Sequence, residues 1–532
     1  MRRLLPAVVA AAGGVLWGLC FGREPLLFAP WVALVPLLLL LGSRRPFLLG
    51  LIHGLAAWLT AIPWIAGTLE TYGGLPGAVA FGLLLLLAAY LALFHALFAA
   101  LGARLWRRGG GLDPAGLKAV DRTGLTAVAL TGLPALWVAL EWLRTHLLTG
   151  FPWNLAAYAW ADVAGALPLT AWVGSFGLSG LLVFANTGLA LAIRGVPRRR
   201  WQPAAAGLLV PLLLLAAGGR WAGPGGPDEE APGPPARPLP VRVVQPNIPN
   251  LVAWDPARVA ANYARLLALS RRACDEPGTL LVWPESAAWP YLFGRDPRLE
   301  EDLEALAAAG CPVLFNSVVF DGDEAYNSAL LFGRGGLAGR ADKRHLVPFG
   351  EYVLFGDALP FVESLARQAG DFTPGREVAL LPWDGARIGV SVCFEITFPG
   401  EVAELARSGA SLLVTITNDA WFGDTAAPWQ HFRAGRFRAA ENHRPVIRAA
   451  ITGVSGVIGP DGAVREILGV GEEGVIAARV VPRRQLTPFS RAPWLVPAAS
   501  AVWAAAALLL ASGVRARLRK SWRRPRPPAP EK

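Results

Sequence analysis

Charge is scarce in this chain. Of 532 residues only 17% are Asp, Glu, Lys or Arg, while 54% are hydrophobic. That balance excludes an ordinary water-soluble protein of this length. Cysteine is scarce as well. Cys20, Cys274, Cys311 and Cys393 show no metal-ligand spacing and are too few for a dense disulfide framework; whether Cys274 and Cys311 pair stays open. Six scattered histidines point to no metal site, and nothing else in the chain asks for a cofactor. Acidic residues are outnumbered, 39 against 50 basic ones, for a formal net charge of +11. Such an excess could mark a nucleic-acid partner, but its placement argues against one. Arg515, Arg517, Arg519, Lys520, Arg523, Arg524, Arg526 and Lys532 form a tail directly after an apolar run, where a cytoplasmic membrane flank would be.

The apolar residues are concentrated before residue 220 and again near the C-terminus. A helix needs about 20 apolar residues to cross the hydrocarbon core. The expected spans are Leu4–Phe21, Leu26–Leu41, Pro46–Thr68, Gly77–Leu101, Leu125–Arg144, Leu167–Ile193, Pro203–Ala217 and Pro493–Ser512, about eight in all, the second and seventh being short. The first resembles a signal peptide in its Arg2–Arg3 start, but more spans follow at once, so it reads as a retained helix. Arg2–Arg3, Arg44–Arg45, the Arg104–Arg108 region and Arg198–Arg200 fall on alternate loops, and the loops around Glu70 and Phe151–Tyr158 lack Lys and Arg. This pattern puts the N-terminus and the basic tail inside, and whatever lies between spans seven and eight outside.

What lies there is a globular segment. Residues 1–218 hold the first seven expected spans. Residues 219–240 form a Pro/Gly-rich linker, including GPGGPDEEAPGPPARPLP (Gly223–Pro240). Residues 241–480 have the composition of a folded domain, residues 481–513 return to the membrane, and 514–532 are the tail. Inside the domain, VRVVQPN (Val241–Asn247), TLLVWPES (Thr279–Ser286), CPVLFNSVVF (Cys311–Phe320), AYNSALLFG (Ala325–Gly333), RIGVSVC (Arg387–Cys393) and SLLVTITND (Ser411–Asp419) read as strands. Asp255 and Pro256 open a helix, Gln430–Asn442 forms another, and Pro445–Val464 reads as a hairpin on a GPDG turn. His431 and His443 flank that second helix and read as structural. Near-continuous apolar strands alternating with helices predict an α/β fold with its sheet covered on both sides.

Three features of the domain line up. Glu285 follows one strand, Lys343 sits in the polar stretch ADKRHLVPFGEY, and Cys393 closes another strand. Alone, each has a plain explanation: a solvated turn after Pro284, a surface charge beside Arg344, a buried thiol. Together they supply an activated nucleophile. A carboxylate takes the thiol proton, and an ammonium steadies the oxyanion formed on attack.

VWPES, the Lys343 segment and VCFE resemble the nitrilase superfamily, whose Glu–Lys–Cys triad sits on an αββα sandwich. GFPWN (Gly150–Asn154), VWPESAAWP, KRHLVPFGEYV (Lys343–Val353), Cys393–Glu395, TNDAWFG (Thr417–Gly423) and RPVIRAAITGVSGVI (Arg444–Ile458) resemble one membrane-embedded branch, the apolipoprotein N-acyltransferases. The resemblance runs over nearly the whole chain. It implies a membrane α-helical bundle with an inserted nitrilase-like αββα domain. The implied reaction moves an acyl chain from a phospholipid to the N-terminal amine of a diacylglyceryl-cysteine apolipoprotein. The implied setting is a bacterial inner membrane, with the catalytic domain on the outer face and both termini cytoplasmic. By the same resemblance Cys393 is the nucleophile, Glu285 the base and then the acid, and Lys343 the oxyanion partner. Glu351 is a second essential carboxylate and Trp254 an essential aromatic. Asn327 and Glu395 are supporting polar groups. Phe394 departs from the family's Tyr after the cysteine.

The loops AWPYLF (Ala288–Phe293), VLFGDALPF (Val353–Phe361) and AWFGDTAAPW (Ala420–Trp429) are greasy for a domain in water and fit contact with lipid. Two rival readings are set against this one. A membrane-tethered amidase of the nitrilase type would use the same triad and release its acyl group to water. A transporter with an outer module would carry polar groups at the midplane, where this chain has almost none.

Overall fold

The computed structural model describes residues 4–109, 119–195, 202–220, 237–249, 255–352 and 371–521. Trp254, the segment 353–361, most of the linker and the end of the basic tail lie outside the described residues.

The apolar runs form helices α1 (Leu5–Leu19), α2 (Val35–Leu40), α3 (Pro46–Ala61), α4 (Trp64–Thr71), α5 (Gly77–Gly109), α6 (Ala119–Arg144), α7 (Ala166–Gly195) and α8 (Gln202–Arg220). Among the described residues four helical segments are long and apolar enough to cross a membrane: Gly77–Arg107, Thr126–Arg144, Ala166–Arg194 and, at the far end of the chain, Leu495–Ser512. A fifth is reached if α3 and α4, bent by 55° across their break, count as one. The expectation of about eight full-length spans is therefore met only in part. Proline explains part of the shortfall. Pro30 and Pro36 lie in a stretch that the sequence offers as one span and that folds as a 3-10 turn, Ala29–Trp31, followed by the six-residue α2. Pro63 stands at the break between α3 and α4. Elsewhere the helices lie very close. A Cβ on Gly14 would stand 2.2 Å from the His53 carbonyl oxygen, and one on Gly18 would stand 2.6 Å from that of Ala57. Glycine at these two sites lets α1 lie against α3.

Among the described residues the inserted domain contains twelve strands. β1 (Leu239–Gln245), β2 (Leu280–Val282), β3 (Val313–Asp321), β4 (Glu324–Gly333) and β5 (Gly336–Asp342) form one sheet with β12 (Gly474–Val480), in the order β12-β1-β2-β3-β4-β5. β6 (Leu380–Trp383), β7 (Ala386–Val392), β8 (Leu412–Thr417), β9 (Val446–Ala450), β10 (Ser455–Ile458) and β11 (Val464–Leu468) form the second, in the order β11-β10-β9-β8-β7-β6. The expected hairpin over Pro445–Val464 is thus three strands. The GPDG turn joins β10 to β11, and β9 pairs with the other edge of β10.

Both sheets bury two faces. Val243, Val282 and Leu331 of the first meet Val390, Val414 and Ile447 of the second in a shared core. Helices α9 (Pro256–Ala273) and α10 (Pro297–Ala308) cover the outer face of the first sheet through Leu266, Leu299 and Leu303. Helices α11 (Pro399–Arg407) and α12 (Ala427–Asn442) cover the second through Val402, Leu405 and Phe432. The result is a four-layer αββα domain. Asp255 caps α9, accepting from the Ala257 N–H at 3.0 Å, with Pro256 in the first turn. A disulfide joins Cys274 at the end of α9 to Cys311, before β3.

Helix α12 is also the joint to the membrane part. Its Gln430 donates to the carbonyl oxygens of Phe21 (3.0 Å) and Ala61 (2.8 Å) and accepts from the Trp153 indole N–H at 2.7 Å. Arg438 donates to the Ser175 hydroxyl at 2.8 Å, and the Ser175 N–H donates to Glu441 at 2.7 Å. The last helix of the chain, α13 (Leu495–Ser521), follows the domain and packs on α6.

Candidate active site

In the first sheet β1, β2 and β3 run parallel, β4 runs back, and β5 runs forward again. In the second, β7, β8 and β9 are parallel. The residues that leave β2, β5, β7 and β8 therefore gather at one end of the sandwich, the end where parallel sheets present ligands. Glu285 follows β2 by three residues, Lys343 follows β5, Cys393 follows β7, and Asn418 follows β8.

Lys343 is 2% exposed. Its Nζ donates to Glu351 Oε1 at 2.8 Å and lies 3.7 Å from Glu285 Oε1. Asn327, near the start of β4, bridges the same two carboxylates, donating at 3.0 Å to Glu285 and 2.8 Å to Glu351. Its side-chain oxygen in turn accepts from Asn316 at 2.7 Å. The free oxygens are also held: Asn418 N–H donates to Glu285 Oε2 at 2.9 Å, and Val347 N–H donates to Glu351 Oε2 at 2.8 Å. Burial by itself would lower the Lys343 pKa, but the charges of Glu351 and Glu285 outweigh it and hold the ammonium well above its ordinary range. Lys343 is a fixed cation.

Cys393 is not a relaxed residue. Its φ is +55°, in the left-handed region that side chains other than glycine avoid at a cost of about 1–3 kcal/mol. The thiol it carries is free and partly exposed. Burial and the Glu285 charge push its pKa up, against the pull of Lys343. The resting group is thus a neutral thiol, and attack requires a base to take its proton. The Thr417 hydroxyl lies 3.3 Å from the sulfur.

Glu395 anchors the turn. One oxygen accepts from Val392 N–H at 2.7 Å, and the other accepts from Arg344 N–H at 2.7 Å and His345 N–H at 3.1 Å. It therefore ties the Cys393 turn to the segment after β5 that carries Lys343. Phe394 faces the other way. Its ring stacks on Trp153 at 6.3 Å with an interplanar angle of 20° and meets Phe398 edge-on at 5.1 Å. Trp153 belongs to GFPWN, between α6 and α7. The wall beside the thiol is thus supplied partly by the membrane part of the chain. Of the residues expected from the sequence, Glu285, Lys343, Glu351 and Asn327 form one bonded cluster. Cys393, Phe394 and Glu395 form the facing turn, and Trp254 lies outside the described residues.

Comparison with known proteins adds the family. Residues 240–487 match the carbon-nitrogen hydrolase model, and residues 13–188 match the apolipoprotein N-acyltransferase N-terminal domain. An apolipoprotein N-acyltransferase of Geobacter metallireducens is 38% identical over 490 residues, covering 89% of each chain. One from Photobacterium profundum is 30% identical over 92% of this chain and 91% of its own. The chain belongs to the apolipoprotein N-acyltransferase family. Among solved structures, the nitrilase-superfamily protein Nit3 of Saccharomyces cerevisiae aligns at 23% identity over 48% of this chain and 93% of its own, with a TM-score of 0.37.

This acyltransferase has a third group of residues at the site, of which sequence reasoning read His431 as structural and did not single out Asp419 or Arg448. Asp419, His431 and Arg448 are all at most 1% exposed and stand behind Cys393. Arg448 donates to Asp419 at 2.7 Å, Asp419 accepts from Thr417 at 2.8 Å, and His431 reaches the Cys393 carbonyl oxygen at 3.0 Å. His431 lies within α12 rather than beside it. Burial would raise the Asp419 pKa, but Arg448 and His431 bring it down to about 2. Burial and the Arg448 charge lower the His431 pKa from its usual range, against the pull of Asp419. The signal available was the NDAWFG segment itself, whose Asp follows β8 as Cys393 follows β7.

Proposed function

We propose that the enzyme transfers one acyl chain from a membrane phospholipid to the N-terminal amine of a diacylglyceryl-cysteine apolipoprotein, through a thioester on Cys393. The observation that carries this reading is the stacking of Trp153 on Phe394. It sets a nitrilase-type thiol against apolar membrane helices, where a phospholipid ester is at hand.

In the first step Glu285 takes the thiol proton while sulfur attacks the ester carbonyl carbon. Lys343 faces the negative charge that grows on the carbonyl oxygen. The carbon–oxygen bond to the glycerol breaks, Glu285 returns its proton to the departing oxygen, and lyso-phospholipid leaves. In the second step the neutral amine attacks the thioester and Glu285 takes its proton. The carbon–sulfur bond then breaks, leaving an amide and a reprotonated Cys393. Glu351 and Asn327 hold Lys343 and Glu285 in register, and Glu395 holds the turn. Trp254 enters on the family resemblance alone.

We infer that the chain crosses the membrane about eight times, some passages being short or broken, with the domain on the outer face and both termini in the cytoplasm. The alternate-loop arginines support this. So does the Cys274–Cys311 disulfide, a bond that persists in oxidising compartments. A topology reporter fused after Lys532 that is active on the outer side would overturn the arrangement.

The chemical test is mass spectrometry. Enzyme incubated with phospholipid alone should gain one acyl mass on the Cys393 peptide, release lyso-phospholipid once, and lose the adduct to hydroxylamine. A diacylglyceryl peptide should then discharge it, with ping-pong kinetics. A Cys393→Ala enzyme that still transfers acyl chains rules the mechanism out. So does a wild-type enzyme that releases lyso-phospholipid only when both substrates are bound.

A further inference from the structure

The network behind the thiol has a definite hydrogen-bond logic. The Cys393 carbonyl oxygen can only accept, so the His431 Nε2 that lies 3.0 Å from it must carry a proton. At the other side of the ring, Nδ1 lies 3.1 Å from the Arg448 guanidinium and 3.0 Å from Asp419. Nδ1 thus stands between Arg448 and Asp419, and Asp419 also accepts from the same Arg448 nitrogen and from the Thr417 hydroxyl. The Thr417 that bonds Asp419 is the same Thr417 that touches the Cys393 sulfur. The ring face of His431 is covered by Trp153 at 5.3 Å, and Trp153 is pinned by Gln430, the neighbour of His431 on α12.

We propose that His431 is a positioning residue for Cys393: its Nε2–H holds the carbonyl of a nucleophile whose backbone sits in the left-handed region, and its ring carries the membrane part's Trp153, so that the seating of the outer domain on the membrane helices is felt at the thiol. The proposal rests on the reading of Cys393 as the acyl carrier. It asks nothing further of His431, which touches neither substrate nor proton in the reaction. A packing role alone would need a ring of this size; a positioning role needs a donor at this place. Those two demands can be separated.

The experiment compares His431→Gln with His431→Met in the full-length enzyme. The two side chains are close in length and flexibility, and only Gln has a terminal N–H. Two rates are measured for each: single-turnover acylation of Cys393 by phospholipid, and alkylation of Cys393 by iodoacetamide at fixed pH. The phospholipid KM and the melting temperature are recorded beside them. Losing a buried hydrogen-bond donor while its acceptor stays in place corresponds to about 10–100-fold in rate when the acceptor orients the reacting group. The expected result is that Gln exceeds Met by tenfold or more in acylation, with KM and melting temperature alike in the two. Equal rates overturn the proposal. Loss of fold in both variants also overturns it, because His431 would then serve domain stability. Wild-type enzyme that takes up no acyl group at all defeats the acyl-carrier reading instead; the alkylation ratio then still decides whether His431 aligns the thiol.

Discussion

Replacing Lys343 with Met removes a single charge from the most enclosed part of the site. The side chain lost is 1% exposed, and its ammonium is 2.8 Å from Glu351 and 3.7 Å from Glu285. Two consequences follow, and their sizes differ. Breaking a buried ion pair by removing one partner costs about 3–5 kcal/mol, because the remaining charge is left unpaired. Here the remaining carboxylates keep other donors: Asn327 for both, Asn418 N–H for Glu285 and Val347 N–H for Glu351. The loss should therefore fall at the low end, about 3 kcal/mol, which for a domain of this size lowers the melting temperature by about 6–12 °C. The effect on rate should be larger. In the proposed mechanism Lys343 is the cation that faces the oxyanion, and losing one such donor slows the chemical step by about 10²–10³-fold. The assay is single-turnover acylation of Cys393 by phospholipid, well below the lowered melting temperature. Phospholipid binding should be little changed, because Lys343 meets the ester only as charge develops. Lys343→Arg, which retains the charge but not the shape, should fall between Met and wild type. A folded Lys343→Met enzyme that acylates within threefold of wild type would refute the assignment of Lys343 and the electrostatic argument behind it.

Phe394→Tyr should leave transfer within about threefold of wild type, because the ring's contacts with Trp153 and Phe398 do not need a polar atom; a gain of tenfold or more would show that a hydroxyl belongs there. The thiol's pKa is raised by burial and by Glu285, so alkylation of Cys393 by iodoacetamide should climb from pH 7 to beyond pH 9 without levelling; a plateau near neutrality would reveal a preformed thiolate. The linked stability has a definite sign. A thiol whose folded pKa lies above its ordinary value of 9.0 favours folding below that value and loses the contribution as pH rises past it. Above pH 9 the wild-type domain should therefore lose melting temperature faster than Cys393→Ala; parallel curves would show that the thiol is not held neutral.

Much of this enzyme was determined by short stretches of sequence. An apolar run ending in Cys393 and another ending near Glu285 each announce a strand and the group it delivers; the polar stretch holding Lys343 shows the cation but not β5, the strand before it. The two runs can do so because side chains at strand ends are placed by local geometry. The alternation of such strands with helices such as Pro256–Ala273 was enough for an α/β domain, since cap, first-turn proline and apolar face all lie within one segment. The spans were legible as composition but not as length: hydropathy does not see that Pro30, Pro36 and Pro63 lie where helices stop. Other features depended on residues far apart in the chain. Asp419, His431 and Arg448 come from three separate elements and meet only because β8, α12 and β9 stack behind β7. Trp153 reaches Phe394 across 241 positions, and no periodicity records that approach. The Cys274–Cys311 bond needed the end of α9 beside the start of β3, at a Cα separation of 5.9 Å. Local sequence thus chose the reactive groups and the strands that bear them. Only the packed fold decided what stands behind the thiol and what covers it, because buried hydrogen bonds are satisfied by whichever partners tertiary packing brings within reach.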